Sequence, residues 1–103
     1  MAKLTLTMSP TFAGTVRIPV PGKKAVPVDF TFRARTRDQF QEWLDALSGK
    51  DDVDALLDIL TGWELEDEFC RESVEKLVQS YPGAARAITE HYIREQVGAR
   101  SGN

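Results

Sequence analysis

A chain of 103 residues with 42% apolar and 28% charged side chains has the make-up of one ordinary globular domain with a modest core, taken here as 1–103. One cysteine excludes an internal disulfide, one cysteine with one histidine cannot complete a four-ligand zinc site, and no apolar run approaches the roughly 20 residues of a membrane span. The net charge of −3 conceals a segregation, because residues 1–37 carry +6 and residues 38–76 carry −10, and such opposite segments attract within a subunit or between subunits.

Residues 3–8, Lys-Leu-Thr-Leu-Thr-Met, alternate apolar with polar as a half-buried strand does, and Ser9-Pro10 ends the run. Nothing here has the basic-then-apolar form of a signal peptide, so a cytoplasmic protein is expected. Thr15 to Val20 alternates again, with Val16, Ile18 and Val20 on one face, and Val26, Val28, Phe30 and Phe32 repeat the pattern after Pro21-Gly22-Lys23-Lys24. That spells a hairpin with a loop of about four residues. Pro19 and Pro27 withhold ladder donors, so each requires an edge or a bulge, and the sheet has two or three strands at most. Helices or another copy of the chain must cover its Val/Ile/Phe face.

The helical region is expected over 36–98. Thr36 to Gln39 fits a capping box, and Phe40, Trp43, Leu44 and Leu47 follow at helical spacing until Ser48-Gly49. Asp51 or Asp52 caps a second helix with Val53, Leu56, Leu57 and Leu60 inward and Ile59 on its flank; Gly62 is expected to end it in a left-handed turn. Trp63 then plugs the junction between helices. Residues 64–68, Glu-Leu-Glu-Asp-Glu, read as a solvated loop with Leu65 as an anchor and Phe69 beyond it. A third helix begins near Arg71 and uses Val74, Leu77, Val78 and Tyr81. Pro82 suits the first position of a fourth, in which Ala84, Ala85, Ile88 and Tyr92 face inward. Ile93 and Val97 lie off that stripe, and 99–103 reads as a frayed tail. The fold class is therefore α+β: an N-terminal β-hairpin or small antiparallel sheet over 1–35, then a compact bundle of about four short helices. One continuous core is expected to join Phe40, Trp43, Leu44, Leu56, Leu57, Leu60, Trp63, Leu77, Ile88 and Tyr92.

No catalytic constellation emerges. His91 has no second histidine or cysteine to join it and reads as a helix-surface residue. Asp51, Asp52, Asp54 and Asp58 run into Leu56 and Leu57 where a calcium loop would continue with glycine and oxygen ligands, so they read as cap and solvated face. Cys70, at or next to the start of the third helix, has no plausible base near it in sequence and reads as a cap or packing residue. No glycine-rich phosphate loop exists. No catalytic residues, no metal and no cofactor are therefore expected. The basic N-terminal third suits a phosphate backbone, yet Phe30 and Phe32 share parity with Val26 and Val28 and so read as core rather than base-stacking platforms.

Gly62-Trp63, the acidic loop with Phe69, the segment Arg71 to Ser80, Tyr81-Pro82-Gly83-Ala84-Ala85-Arg86-Ala87-Ile88, Tyr92 and Gly98-Ala99-Arg100 resemble a family of phage tail assembly chaperones. The resemblance extends upstream through Thr36-Arg37-Asp38, Trp43-Leu44 and the run Asp51 to Leu57, about two-thirds of the chain. It departs from the family pattern at Cys70, where a serine-like helix cap is expected. The resemblance implies a non-enzymatic protein in the host cytoplasm that keeps the tape measure protein soluble and helps recruit tail tube subunits. It also implies self-association and a longer form made by ribosomal frameshifting. The charge segregation points to a head-to-tail contact of basic hairpin with acidic helices, giving a ring or filament. The residues expected to touch a client are Leu65, Phe69, Ile93 and Val97. A small adaptor or inhibitor of one folded partner fits the same features, and a nucleic-acid-binding module ranks below it.

Overall fold

The computed structural model describes residues 4–98, so the tail expected at 99–103 lies outside the described residues. Strand β1 (Thr11–Val20) turns into β2 (Lys23–Arg33), helix α1 (Arg37–Ala46) follows, and α2 (Asp52–Ile59) runs directly into β3 (Leu60–Trp63). Helices α3 (Arg71–Ser80) and α4 (Ala84–Val97) complete an α+β fold whose antiparallel sheet has the order β1-β2-β3.

The hairpin closes more tightly than four residues. Val20 faces Lys23 across Pro21-Gly22, because Pro21 presets its own φ and Gly22 takes the left-handed φ of +77° that the second turn position demands. β1 also starts at Thr11, earlier than the alternation from Thr15 suggests. Residues 4–8, expected as a strand, form none, and Leu4 and Leu6 are 93% and 100% exposed.

Both prolines fall where the ladder can spare them. The Ala34 amide donates to the Pro10 carbonyl at 2.9 Å and the Glu64 amide donates to the Asp29 carbonyl at 2.9 Å. Antiparallel residues alternate the side to which their polar groups point, so even-numbered residues of β1 face β2 and odd-numbered residues of β2 face β3. Pro19 therefore spends its missing donor on the open edge of β1, beside the bulge between Ile18 and Val20. Pro27 spends its own on the side where β3, paired only from Phe30 to Phe32, has already ended.

Helix α4 lies along β1 in the opposite direction. Its first turn meets Pro19, where a Cβ on Gly83 would come within 3.1 Å of the ring, and its middle crosses Gly14, where a Cβ would stand 2.6 Å from His91 Nε2. His91 is therefore no surface residue: Gly14 opens the slot in which the half-buried imidazole stacks on Phe32 at 5.5 Å. Val26 lies on the β2 side of the tip, is reached by no such cover and stays 49% exposed, although Ile18 opposite it is 3% exposed.

All ten expected core residues belong to one hydrophobic cluster, with Leu44, Leu57 and Trp63 at its partly buried margin. The expectation fails at Ile59, which is fully buried rather than flanking. Its reason is the abrupt change from α2 to β3: Leu60, the C-cap, already has extended φ/ψ, so Ile59 and Leu60 can both enter the core. Gly62 accordingly takes no left-handed turn and sits inside β3 opposite Thr31. The region 36–98 thus holds a strand among its helices.

Local signals set the helix starts. The Thr36 capping box forms with Gln39, and Asp51 Oδ1 accepts from the Asp54 amide at 2.8 Å. Asp54 pairs with Arg71, and Asp58 with Lys50 at 3.0 Å, which accounts for the aspartate run as cap and ion pairs. Pro82 occupies the second position of a turn closed by Ala84 N–H to the Tyr81 carbonyl at 2.9 Å, two residues before α4 begins.

Candidate functional site

Two aromatic centres divide the molecule. Around Tyr92, the rings of Phe12, Phe32, Phe40 and Trp43 lie 5.2–6.2 Å from its centroid, and the ring itself is fully buried. Its hydroxyl donates to the Arg33 carbonyl at 2.8 Å and accepts from Arg35 Nη1 at 3.0 Å. Arg35 in turn donates to the Asp58 carbonyl at the end of α2, lies over the Trp43 ring at 5.7 Å, and has its backbone held on both sides by the Gln96 amide. Burial pushes the Tyr92 phenol above its ordinary value of 10, with the Arg35 hydrogen bond and the charges of Arg35 and Arg33 pulling the other way. This centre ties β1, β2, α1, α2 and α4 together and is structural.

The second centre stands on Trp63, the last residue of β3, which pairs with Phe30 and so points to the same face as the core. Its indole meets Phe30 edge-on at 6.4 Å and Phe69 edge-on at 5.2 Å, and its Nε1 donates to the Asp67 carbonyl at 2.8 Å. One side chain thus pins the acidic loop 64–70 at two points. Lys76 on α3 adds a third by pairing with Asp67 at 3.1 Å. Between the pinned loop and α3 runs an open groove of about 310 Å³, lined by Trp63, Leu65, Leu77 and Tyr81 and edged by Glu66, Asp67, Ser73, Lys76 and Ser80.

The four residues expected at a client surface separate into two places. Leu65 lines the groove and is 38% exposed, while Phe69 is half-buried behind it against Trp63. On α4, Val97 is 56% exposed, whereas Ile93 is half-buried and packs on the core cluster. Tyr81, expected in the buried stripe of α3, instead lines the groove and is 37% exposed. The signal was present in sequence: the residue before a proline is driven out of helical geometry, and Tyr81 has φ −130° and ψ 86°. Cys70 supplies no side-chain cap to α3; its Sγ lies 3.4 Å from Ser73 Oγ and the residue is exposed. Among the described residues no helix is long and apolar enough to cross a membrane.

The small antiparallel sheet packs mainly against α4 and α2, and an apolar groove bounded by the pinned acidic loop lies beside α3. The model of the phage tail assembly chaperone family matches residues 1–103, and the chain belongs to that family. Membership gives it a role in the assembly of phage tails. Neither a curated protein nor a solved structure matches the chain.

Proposed function

We propose that the chain is a non-enzymatic chaperone that holds an apolar segment of the tape measure protein, keeps it soluble in the host cytoplasm and passes it to tail tube subunits. The observation that carries this reading is the groove at Trp63. Its walls, Leu65 and Tyr81, are large apolar side chains left more than a third exposed, and its rim carries Glu66 and Asp67. An amphipathic helix sets its apolar face into such a groove, and lysines or arginines flanking that face suit the acidic rim. The exposed end of α4 at Val97, with Ile93 beneath it, is a second place for the same client.

Co-expression with the tape measure protein tests the proposal. Leu65→Ser combined with Tyr81→Ser touches no fully buried side chain, so the variant is expected to melt within a few degrees of the parent and to leave the client in the insoluble fraction. A variant that keeps the client soluble at parental levels overturns the groove as the binding site. The Ile93→Ser and Val97→Ser pair then examines the end of α4. Ile93 packs on the core, so that pair is read against Val97→Ser alone.

A further inference from the structure

The two edges of the sheet are unequally defended. β3 is four residues long and continues into the acidic loop, which discourages another strand from pairing with it. β1 is ten residues long, and its guards, Arg17 and Pro19, stand at the hairpin end only. From Thr11 to Val16 the open edge carries neither a charge nor a proline. Directly before it lies a segment with strand alternation and no strand partner, Leu4 to Met8, whose Leu4 and Leu6 are 93% and 100% exposed. Leu4, Leu6 and Met8 have the same parity as Phe12 and Val16, which face the core.

We infer that residues 4–9 of one copy add as a strand to the open edge of β1 in a second copy, and that the exchange is reciprocal about a two-fold axis at Pro10. The register follows from parity. An antiparallel pairing symmetric about residue 10 sets Leu4 opposite Val16, Leu6 opposite Gly14 and Met8 opposite Phe12, so the apolar side chains join the inward face of the partner's sheet. It also sets Thr5, Thr7 and Ser9 opposite Thr15, Ala13 and Thr11. These odd-numbered residues of β1 are the ones whose amides and carbonyls point away from β2, so each meets a partner with its donor intact. Pro10 lacks an amide, but its carbonyl accepts from Ala34, so its polar side faces β2 and the new ladder loses nothing. Folding back onto the same chain's β1 would use an identical register. It would also need a tight turn through Ser9-Pro10-Thr11, where three-residue hairpin loops use a left-handed position and Thr11 is already paired with Arg33. A second copy is therefore the occupant. The resulting dimer is closed and held by backbone bonds and apolar contacts, unlike a salt-sensitive ring or filament.

The experiment uses the full chain with Cys70→Ser and no client, so its failure leaves the groove reading standing. Thr5→Cys with Thr15→Cys places the two thiols on a hydrogen-bonded cross-strand pair, whose Cα atoms, about 5.5 Å apart, lie inside disulfide range. Mild oxidation is expected to give a covalent dimer on a non-reducing gel, and neither single cysteine variant should do so. Light scattering of the unmodified protein should return a dimer mass at both low and high salt, and Leu4→Lys with Leu6→Lys should return a monomer that keeps the helical circular dichroism signal. A monomer mass for the unmodified protein overturns the inference. So does a disulfide formed within one chain, or an oligomer that dissociates as salt rises.

Discussion

The Tyr92 centre and the Trp63 centre are both clusters of aromatic rings, yet they do opposite things. At Tyr92 the central ring is fully buried, and the hydroxyl is satisfied by Arg33 and Arg35, whose reach extends to the end of α2. At Trp63 the indole is half-buried, and its hydrogen bond goes to a loop whose next neighbours are solvated acids. The first centre fixes how five elements meet. The second fixes only the loop, and leaves a groove beside it. Aromatic content alone therefore says little about purpose, and the degree of closure around the ring separates a sealed cluster from one that leaves an open groove.

The widest gap between the centres should appear on truncation. Tyr92→Ala removes a fully buried ring and one hydrogen-bond partner of the Arg35 guanidinium, and a loss of about 3–5 kcal/mol is expected, enough to unfold much of a small domain. Chemical denaturation checks this; a loss below about 1 kcal/mol would remove the distinction drawn here. The neighbouring leucines of α2 sharpen the same contrast on a smaller scale. Leu56 is fully buried and Leu57 only partly, so Leu56→Ala should cost about 2–5 kcal/mol and Leu57→Ala clearly less.

Alkaline pH probes the sealed centre without cutting it. The fold holds the Tyr92 phenol neutral above its ordinary value of 10, so this contribution is fully present below about pH 10 and is lost as pH rises through the higher folded value. Stability should fall steeply at high pH in the parent and less steeply in Tyr92→Phe. Equal slopes would mean that Tyr92 does not titrate with unfolding.

Much of this was legible before any coordinates. The capping box at Thr36, the stripe through Ala84, Ala85, Ile88 and Tyr92, and the inward parity of Phe30 and Phe32 are periodicity and capping rules acting locally, and tertiary packing did not override them. The failures at β3, at His91 and at residues 4–8 share one cause: each depends on partners far along the chain or outside it. β3 is only four residues long and reads as a helix tail until β2 is beside it, which misplaced Ile59 and Gly62. His91 looked superficial because nothing adjacent in sequence announces that Gly14 makes room for it. Residues 4–8 have the alternation of a strand, but among the described residues no strand pairs with them. At the candidate groove the acidic setting of Leu65 and Phe69 is visible in sequence, but only Leu65 lines the groove, and Tyr81 joins it because Pro82 takes it out of the helix.

The division of labour between the two centres is tested most directly by fluorescence, because each holds one of the two tryptophans. Trp43→Phe leaves Trp63 as the only indole, and Trp63→Phe leaves Trp43. When synthetic amphipathic helices from the tape measure protein are titrated in, the emission of Trp63 should shift and saturate while that of Trp43, 5% exposed, stays constant. A silent Trp63, or a response confined to Trp43, would contradict the assignment of the groove as the client surface.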